Sequence, residues 1–423
     1  AAKVIDNLKD RIKSLHASKD KAGEFLRELA FYLFAYSSNR IPEISDELYK
    51  IDDAMRAGFG WELGPFETWD VLGVEKYVAK MKEAGHSPAG WVEEMLSKGF
   101  NSFYKVEGGV KKYYDQETKS YKKIAGREGF IVLENLRSNK PVWKNSGSIL
   151  HDIGDGVLNL EFQTKMNAIG SEILEGITKS IEIAEKDFKG LVIGNEAPHF
   201  SAGANLAMIL MLATEQEYDE IDLAVRQFQK TTMRIRYSAI PVVVAPHGMT
   251  LGGGCEVTMH SDKVVASAET YIGLVEVGVG VIPAGGGTKE MTLRASDSYG
   301  KDLVELPELQ KRFLAIGQAS VATSAYEAYD LGLFRKNLDQ VVVNPNRVIA
   351  EAKKAVIQLS EAGYTQPIPR NDIKVLGRSA LGSMLVGINS FKLAGYITEY
   401  DQKIAEKLAY IMCGGDLSKP TLV

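Results

Sequence analysis

Cysteine is scarce: Cys255 and Cys413 are the only two in 423 residues. That excludes a disulfide framework. With no Asn-x-Ser/Thr acceptor in the chain, it points to a reducing interior, read here as cytoplasmic. No run of about 18 apolar residues occurs, so no membrane-spanning helix is expected. Positive charge is not in surplus: 50 Lys and Arg against 55 Asp and Glu give a net charge of −5. A chain-wide basic field for nucleic acid is thereby excluded. One local cluster, Lys119 to Lys123, reads as a solvated hairpin. Histidine is sparse too. His199, His247 and His260 lack the spacing of a metal site and read as structural, so no metal is expected. His16 and His86 read as exposed helix or turn residues. The opening AAKVIDNLKDRIKSLHASKD has no apolar signal core and reads as an amphipathic helix. The absence of an initiator Met reads as a fragment or a processed product.

What is present is an ordinary globular mixture, 45% apolar and 25% charged, long enough for two or three domains at roughly 100–200 residues each. Residues 1–100 look helical, interrupted by GFGWELGPFETWDVLGV from Gly58 to Val74, a tight aromatic turn on a helical core. Residues 101–147 lose the helical period. They read as a hairpin, Val110–Tyr114 with Ser120–Ile124, followed by a linker. Residues 148–340 alternate strand and helix. Ser148–Ile153, Val157–Phe162, Gly190–Ile193, Ile240–Ala245 and Asp262–Ser267 are strand-like, and Met166–Ala184 and Glu215–Tyr237 have helical spacing. Residues 341–423 are again largely helical.

Three glycine-bearing segments carry the chemistry. In PHGMTLGGGCEVTM, Pro246–Met259, a strand runs into Gly252-Gly253-Gly254 and a helix begins. The first N–H groups of a helix have no internal partner, and the helix dipole adds positive charge there. Glycine lets a ligand approach them. The result is a donor site for an anion or a developing oxyanion. Glu256 follows in the first turn, where an ordinary acid is also favoured. PHFSAGANL, Pro198–Leu206, could supply further backbone donors or be a simple strand-to-helix turn. ETYIGLVEVGVGVIPAGGGT, Glu269–Thr288, sets Glu276 among Leu274, Val275, Val277 and Gly278. There a carboxyl is either a surface acid or a desolvated acid or base with a raised pKa.

Together these segments resemble the crotonase, or enoyl-CoA hydratase/isomerase, superfamily over about residues 148–340. FSAGANL is similar to its first oxyanion segment and LGGGCE to its second. GLVEVGVGVIPAGGGT is similar to the segment with its second glutamate. Glu256 and Glu276, twenty residues apart, fit the hydratase branch. The resemblance implies an α/β fold, a repeated β-β-α spiral, with an N-terminal all-α domain and a C-terminal helical extension. It implies an oxyanion hole from the N–H groups of Ala202 and Gly253, and two catalytic carboxylates, Glu256 and Glu276. CoA and substrate would meet Ser201, Ala202, Gly203, Ala204, Gly252, Pro283 and Ala284. Asn205 stands where many relatives have Asp, and Ala284 where hydratases often have Gly. Met291 to Lys311 looks longer than the family's connection, and reads as a lid, a loop over the acyl tail or an interface. Cys255 is implied to be a small buried residue, although its helix start could lower its pKa.

GFGWELGPFETWDVLGV resembles the C-terminal helical domain of 3-hydroxyacyl-CoA dehydrogenases, over roughly residues 20–100. Fusion of the two modules is a feature of multifunctional fatty-acid oxidation proteins. No strand-GxGxxG-helix unit occurs, so NAD binding is expected only in a parent protein that has the missing domain. Hydration itself needs no cofactor, coenzyme A being part of the substrate. The expected partner is an acyl-CoA thioester, and a homo-oligomer is left open. Four activities stay open at this point: enoyl-CoA hydratase, enoyl-CoA isomerase or a related acyl-CoA enzyme, NAD-linked dehydrogenase, and non-catalytic acyl-CoA binding.

Overall fold

The computed structural model describes residues 2–5, 7–137, 139–300 and 303–423. The chain divides into two units, Ala1–Glu128 and Gly129–Val423.

The first unit packs helices α1 (Leu8–Ala17), α2 (Lys21–Asn39), α3 (Leu48–Phe59), α4 (Pro65–Leu72), α5 (Val74–Glu83) and α6 (Gly90–Ser97) around an aromatic core. Phe34 stacks on Trp69 at 4.7 Å, and Phe103 closes over Phe66 and Trp69. The aromatic turn owes its glycine at 64 to a buried acid. Asp52 accepts from the N–H groups of Phe66 (2.9 Å) and Glu67 (3.2 Å) at the start of α4. A Cβ on Gly64 would lie 2.4 Å from the Asp52 Cα. The expected hairpin is present as β2 (Val110–Asp115) and β3 (Ser120–Lys123), and gains an antiparallel third strand, β1 (Tyr104–Glu107). β1 has no buried residue, so no alternation marks it. Its start is fixed by Asp70, which accepts from Phe103 and Tyr104 N–H at 2.7 and 2.8 Å.

The second unit opens with a short helix, α7 (Leu133–Leu136), and strands β4 (Trp143–Lys144), β5 (Ser148–Asp152) and β6 (Val157–Phe162). There follow α8 (Ser171–Asp187), β7 (Gly190–Gly194), α9 (Leu206–Thr214), α10 (Tyr218–Arg236), β8 (Val242–Ala245), β9 (Gly248–Leu251), α11 (Gly253–Met259), β10 (Lys263–Ser267) and β11 (Thr270–Gly273). The chain ends in α12 (Gly287–Ser298), α13 (Leu306–Gly317), α14 (Glu327–Asp330), β12 (Gln340–Val342), α15 (Val348–Glu361), β13 (Lys374–Val375), α16 (Gly377–Leu393), α17 (Glu399–Met412) and β14 (Thr421–Leu422). Among the described residues, seven strands form one sheet in the order β12-β10-β8-β7-β6-β5-β4. It is parallel from β12 to β6 and antiparallel beyond.

A parallel sheet covered on both faces needs strands that are apolar on both sides. Leu191, Ile193, Val242 and Val244 face the core of α8 and α10, while Val192, Val243 and Val265 face α15. β9 and β11 leave this sheet and pair with each other, and Ser201 bridges in parallel to Thr250 beside them. Each turn of chain thus places one strand in the large sheet, one in the small one, and then a helix. This is the β-β-α spiral that the sequence motifs imply. Helices α12, α13, α16 and α17 bury a third core with Cys255, Met259 and Ile272.

Three expected boundaries move. α8 starts at Ser171, because Met166 and Asn167 take left-handed backbone (φ 56° and 50°) and turn the chain first. The expected helix from Glu215 starts at Tyr218, after a left-handed Gln216 separates it from α9. The stretch Met291 to Lys311 is largely helical, since α12 begins at Gly287 itself; its residues 301 and 302 lie outside the described residues.

Candidate active site

The small sheet sets the site. Segment 199–203 runs beside β9. Phe200 N–H donates to His247 O and Ser201 N–H to Met249 O, both at 3.0 Å, and Leu251 N–H returns to Ser201 O at 3.0 Å. Buried amides lock the segment from the other side. Asn195 Nδ2 donates to Phe200 O and Asn167 Nδ2 to His199 O, each at 3.0 Å. Gly203 (φ 95°) and Gly252 (φ 52°) then turn the two strands toward each other. Ideal Cβ atoms measure the approach: one on Gly203 would lie 3.3 Å from Gly253 N, and one on Gly253 would lie 3.4 Å from Ala204 N. Only glycine permits two backbones this close.

Of the donors so gathered, those of Gly253 and Ala204 have no acceptor among the described residues. The Ala202 N–H, expected as half of the oxyanion pair, instead donates to Met166 O at 3.1 Å. Backbone turned left-handed at Met166 brings that carbonyl across. Ser201 is buried and internally bonded, its hydroxyl donating to Asn167 O (2.8 Å) and accepting from Gly203 N–H (3.0 Å). It is therefore a brace for the segment and not an open ligand contact. The Pro283 and Ala284 carbonyls accept from Thr288 Oγ1 and Gln229 Nε2, both at 2.8 Å, and so anchor the turn into α12. Asn205 caps α9, its Oδ1 accepting from Met208 N–H at 3.3 Å.

Glu256 is buried in the first turn of α11. Its Oε1 accepts from Gly287 N–H at 2.8 Å, the first residue of α12. Gly285 and Gly286 complete a cradle of backbone donors around the carboxylate. A Cβ on Gly285 would lie 2.5 Å from Glu256 Oε2 and 2.5 Å from the Phe228 ring, and one on Gly286 would strike His260 at 2.7 Å. His260 is fully buried and donates from Nδ1 to Glu256 O at 2.7 Å. Burial depresses its pKa to about 3, so it is neutral. Glu276 follows β11 in a short 3-10 turn, Glu276–Val279. Its Oε2 is buried without a hydrogen-bond partner among the described residues, and its Oε1 would lie 3.3 Å from a Cβ on Gly252.

Burial pushes both carboxyls up, Glu256 to about 7 against the pull of its N–H cradle, and Glu276 to about 8 with the Glu256 charge adding to burial. Two such groups titrate as a pair, which near neutrality retains a proton. One member is then an acid and the other a base, beside two open N–H donors. Cys255, between Gly254 and Glu256, is fully buried, and burial holds its thiol well above the usual range. That excludes an activated thiolate. No cluster of His, Cys, Asp or Glu suited to a metal occurs among the described residues. No helix among them is long and apolar enough to cross a membrane.

Sequence reasoning found both glutamates and the glycine turn. It placed Ala204 among the backbone contacts to CoA and not as the donor left free, and it read Gly285–Gly287 as a backbone contact to ligand or as tight packing, where the structure has a cradle for Glu256. Nothing in the sequence marks Ala204 as the free donor, because that depends on Met166 lying across the segment.

Residues 152–306 match the enoyl-CoA hydratase/isomerase family profile. The chain is 42% identical over 416 residues to a probable 3-hydroxyacyl-CoA dehydrogenase of Bacillus subtilis, covering 98% of this chain and 52% of that protein. It is 27% identical to a putative fatty acid oxidation complex trifunctional enzyme of Rickettsia felis, covering 83% of this chain and 44% of that protein. The chain therefore spans about half the length of these curated relatives. It is also 31% identical over 233 residues to ethylmalonyl-CoA decarboxylase of Pongo abelii, covering 53% of this chain and 75% of that protein. Profile, relatives and spiral agree: the chain belongs to the crotonase (enoyl-CoA hydratase/isomerase) superfamily.

Proposed function

We propose that the chain is an enoyl-CoA hydratase, adding water across the trans-2 double bond to give a 3-hydroxyacyl-CoA. The observation that carries this reading is the buried Glu256–Glu276 pair beside the free N–H groups of Gly253 and Ala204. The thioester oxygen would accept from those two donors, which stabilise the enolate charge as it develops. Water held by the pair gives a proton to one carboxylate while its oxygen bonds to the β-carbon. The proton on the pair goes to the α-carbon, so the pair is unchanged after a turnover. An isomerase needs one base, and the second buried acid would have no role in it. A substrate carboxylate, as in ethylmalonyl-CoA, would face two acids. The name of the Rickettsia relative supports a setting in fatty-acid oxidation, and that of the Bacillus relative supports a dehydrogenase that consumes the 3-hydroxyacyl thioester.

The test is loss of the conjugated thioester absorbance of crotonyl-CoA without NAD. Turnover is expected; its absence at high enzyme concentration contradicts the proposal. The pH profile is a second test. Because the pair must hold one proton, kcat is expected to be bell-shaped, with both limbs near the values of about 7 and 8. A kcat flat from pH 5 to 9 would exclude the two-carboxylate mechanism.

A further inference from the structure

A cavity of about 670 Å³ opens in the second unit among α10, α12, α13 and the segment after α14. Eight Lys and Arg side chains line it against three acids. Its floor is unusual in charge. Glu290, 1% exposed, is the one carboxylate shared by Arg236 (2.5 Å), Lys289 (3.0 Å) and Arg294 (3.5 Å). The wall adds Arg312 of α13. Its Nε and Nη1 are buried and have no acceptor among the described residues. The guanidinium lies flat on Gly332, where a Cβ would sit 2.2 Å from Nη1, and Gly332 O accepts from Arg294 Nη1 at 3.1 Å. Arg236 Nε is likewise buried without an acceptor. The other acids are already matched, Asp297 to Arg370 (2.7 Å) and Asp330 to Lys336 (3.9 Å).

Leaving a buried guanidinium unpaired is costly, and where several such donors line one open cavity they are placed to receive an anion. At the floor and wall, Arg236, Lys289, Arg294 and Arg312 face the single carboxylate of Glu290, an excess of three positive charges; that is about the charge of a diphosphate near neutrality, and guanidinium forks match its oxygens in geometry. The volume exceeds that of diphosphate alone and falls in the usual range for an organic ligand. Tyr237, Tyr329, Pro367 and Ile368 give it an apolar wall. We propose that this cavity is an anion site, separate from the paired glutamates, that takes an organic diphosphate.

Free diphosphate, a nucleoside diphosphate and the diphosphate of coenzyme A share that chemistry, and calorimetry on the full chain separates them. Pyrophosphate and ADP are each expected to bind one equivalent, more weakly as salt is raised. If the source is coenzyme A, it binds two equivalents, one at each site; if not, one. Arg312→Met is expected to weaken pyrophosphate and ADP by about tenfold or more, with crotonyl-CoA turnover unchanged. Its melting temperature without ligand should not fall, since an unpaired buried charge is removed, so misfolding is distinguishable. Lys311→Glu, an exposed change on the same helix, should weaken both ligands as well. Absence of pyrophosphate and ADP binding at low salt overturns the proposal, as does an unchanged affinity in Arg312→Met.

Discussion

Glu256→Gln and Glu276→Gln are each expected to lower kcat by about 10²–10⁴-fold, the range for a positioned general acid or base. The amide has the size of the carboxyl, so Gly287 N–H keeps an acceptor and the cradle of Glu256 survives. Affinity for a non-reacting thioester should stay within about threefold of wild type, because in the proposed mechanism backbone donors receive the thioester oxygen. The same variants carry a stability signature of fixed sign. Both folded pKa values lie above the unfolded value, so the stabilisation associated with the neutral carboxyl is present at low pH and is lost as pH rises through about 7 to 8. Each Gln variant should therefore gain on wild type between pH 5 and pH 9, as read by denaturant midpoints. For buried Glu256 the gain is on the order of 3 kcal/mol. A variant that keeps near-wild-type kcat removes its residue from the mechanism. A stability gap that does not change with pH removes the buried pair.

Glu290→Ala should cause the largest loss of folding stability. One buried carboxylate balances Arg236, Lys289 and Arg294, and burial of Glu290 is outweighed by the surrounding cations, which hold its pKa far below the usual carboxylate range. Removing the acid leaves three like charges facing one another, of which Arg294 is buried and Arg236 and Lys289 are partly exposed. Breaking a buried ion pair in this way costs about 3–5 kcal/mol, or roughly 5–8 °C in melting temperature for a unit of this size. Glu290→Gln keeps oxygen and shape and should lose less. The sign with pH is opposite to that of the glutamate pair. A depressed pKa gives stability that is present above the unfolded value and fades as pH falls through it into the acid range. Wild type and Glu290→Ala should thus converge in acid. A loss below about 1 kcal/mol at pH 7 would show that the cations reach solvent without their acid.

The contrast between these two acids shows what a sequence exposes. Glu256 and Glu276 were legible because glycines a few residues away dictate their backbone, and local backbone is written locally. The buried strands around Val192 and Val243 were legible from composition for the same reason. Glu290 sits only two residues after Thr288, yet nothing near it announces Arg236 or Gly332. The Ala202 N–H, expected to be open, is occupied by Met166 O, 36 positions earlier, while that of Ala204 is left free, and no local pattern in the sequence shows this. β1 escaped because a strand without a buried face has no period to read. α9 has the reverse problem: LAMILMLAT looks like core, but none of its residues is buried.

The site's dependence on main-chain donors has a consequence for anyone mapping it by mutation. An alanine scan would register Glu256 and Glu276 and pass over most of the remaining apparatus. Ala204 is already alanine, and the working atoms of Gly253 and Gly285–Gly287 are amide nitrogens that every residue but proline retains. Such a scan deletes side chains, and here it would do its damage by adding them: a methyl at Gly285 meets the Glu256 carboxylate, and one at Gly253 meets Phe228. Backbone amide-to-ester replacement at Ala204 or Gly253 removes the donor and leaves the shape, and is the substitution that addresses this chemistry directly.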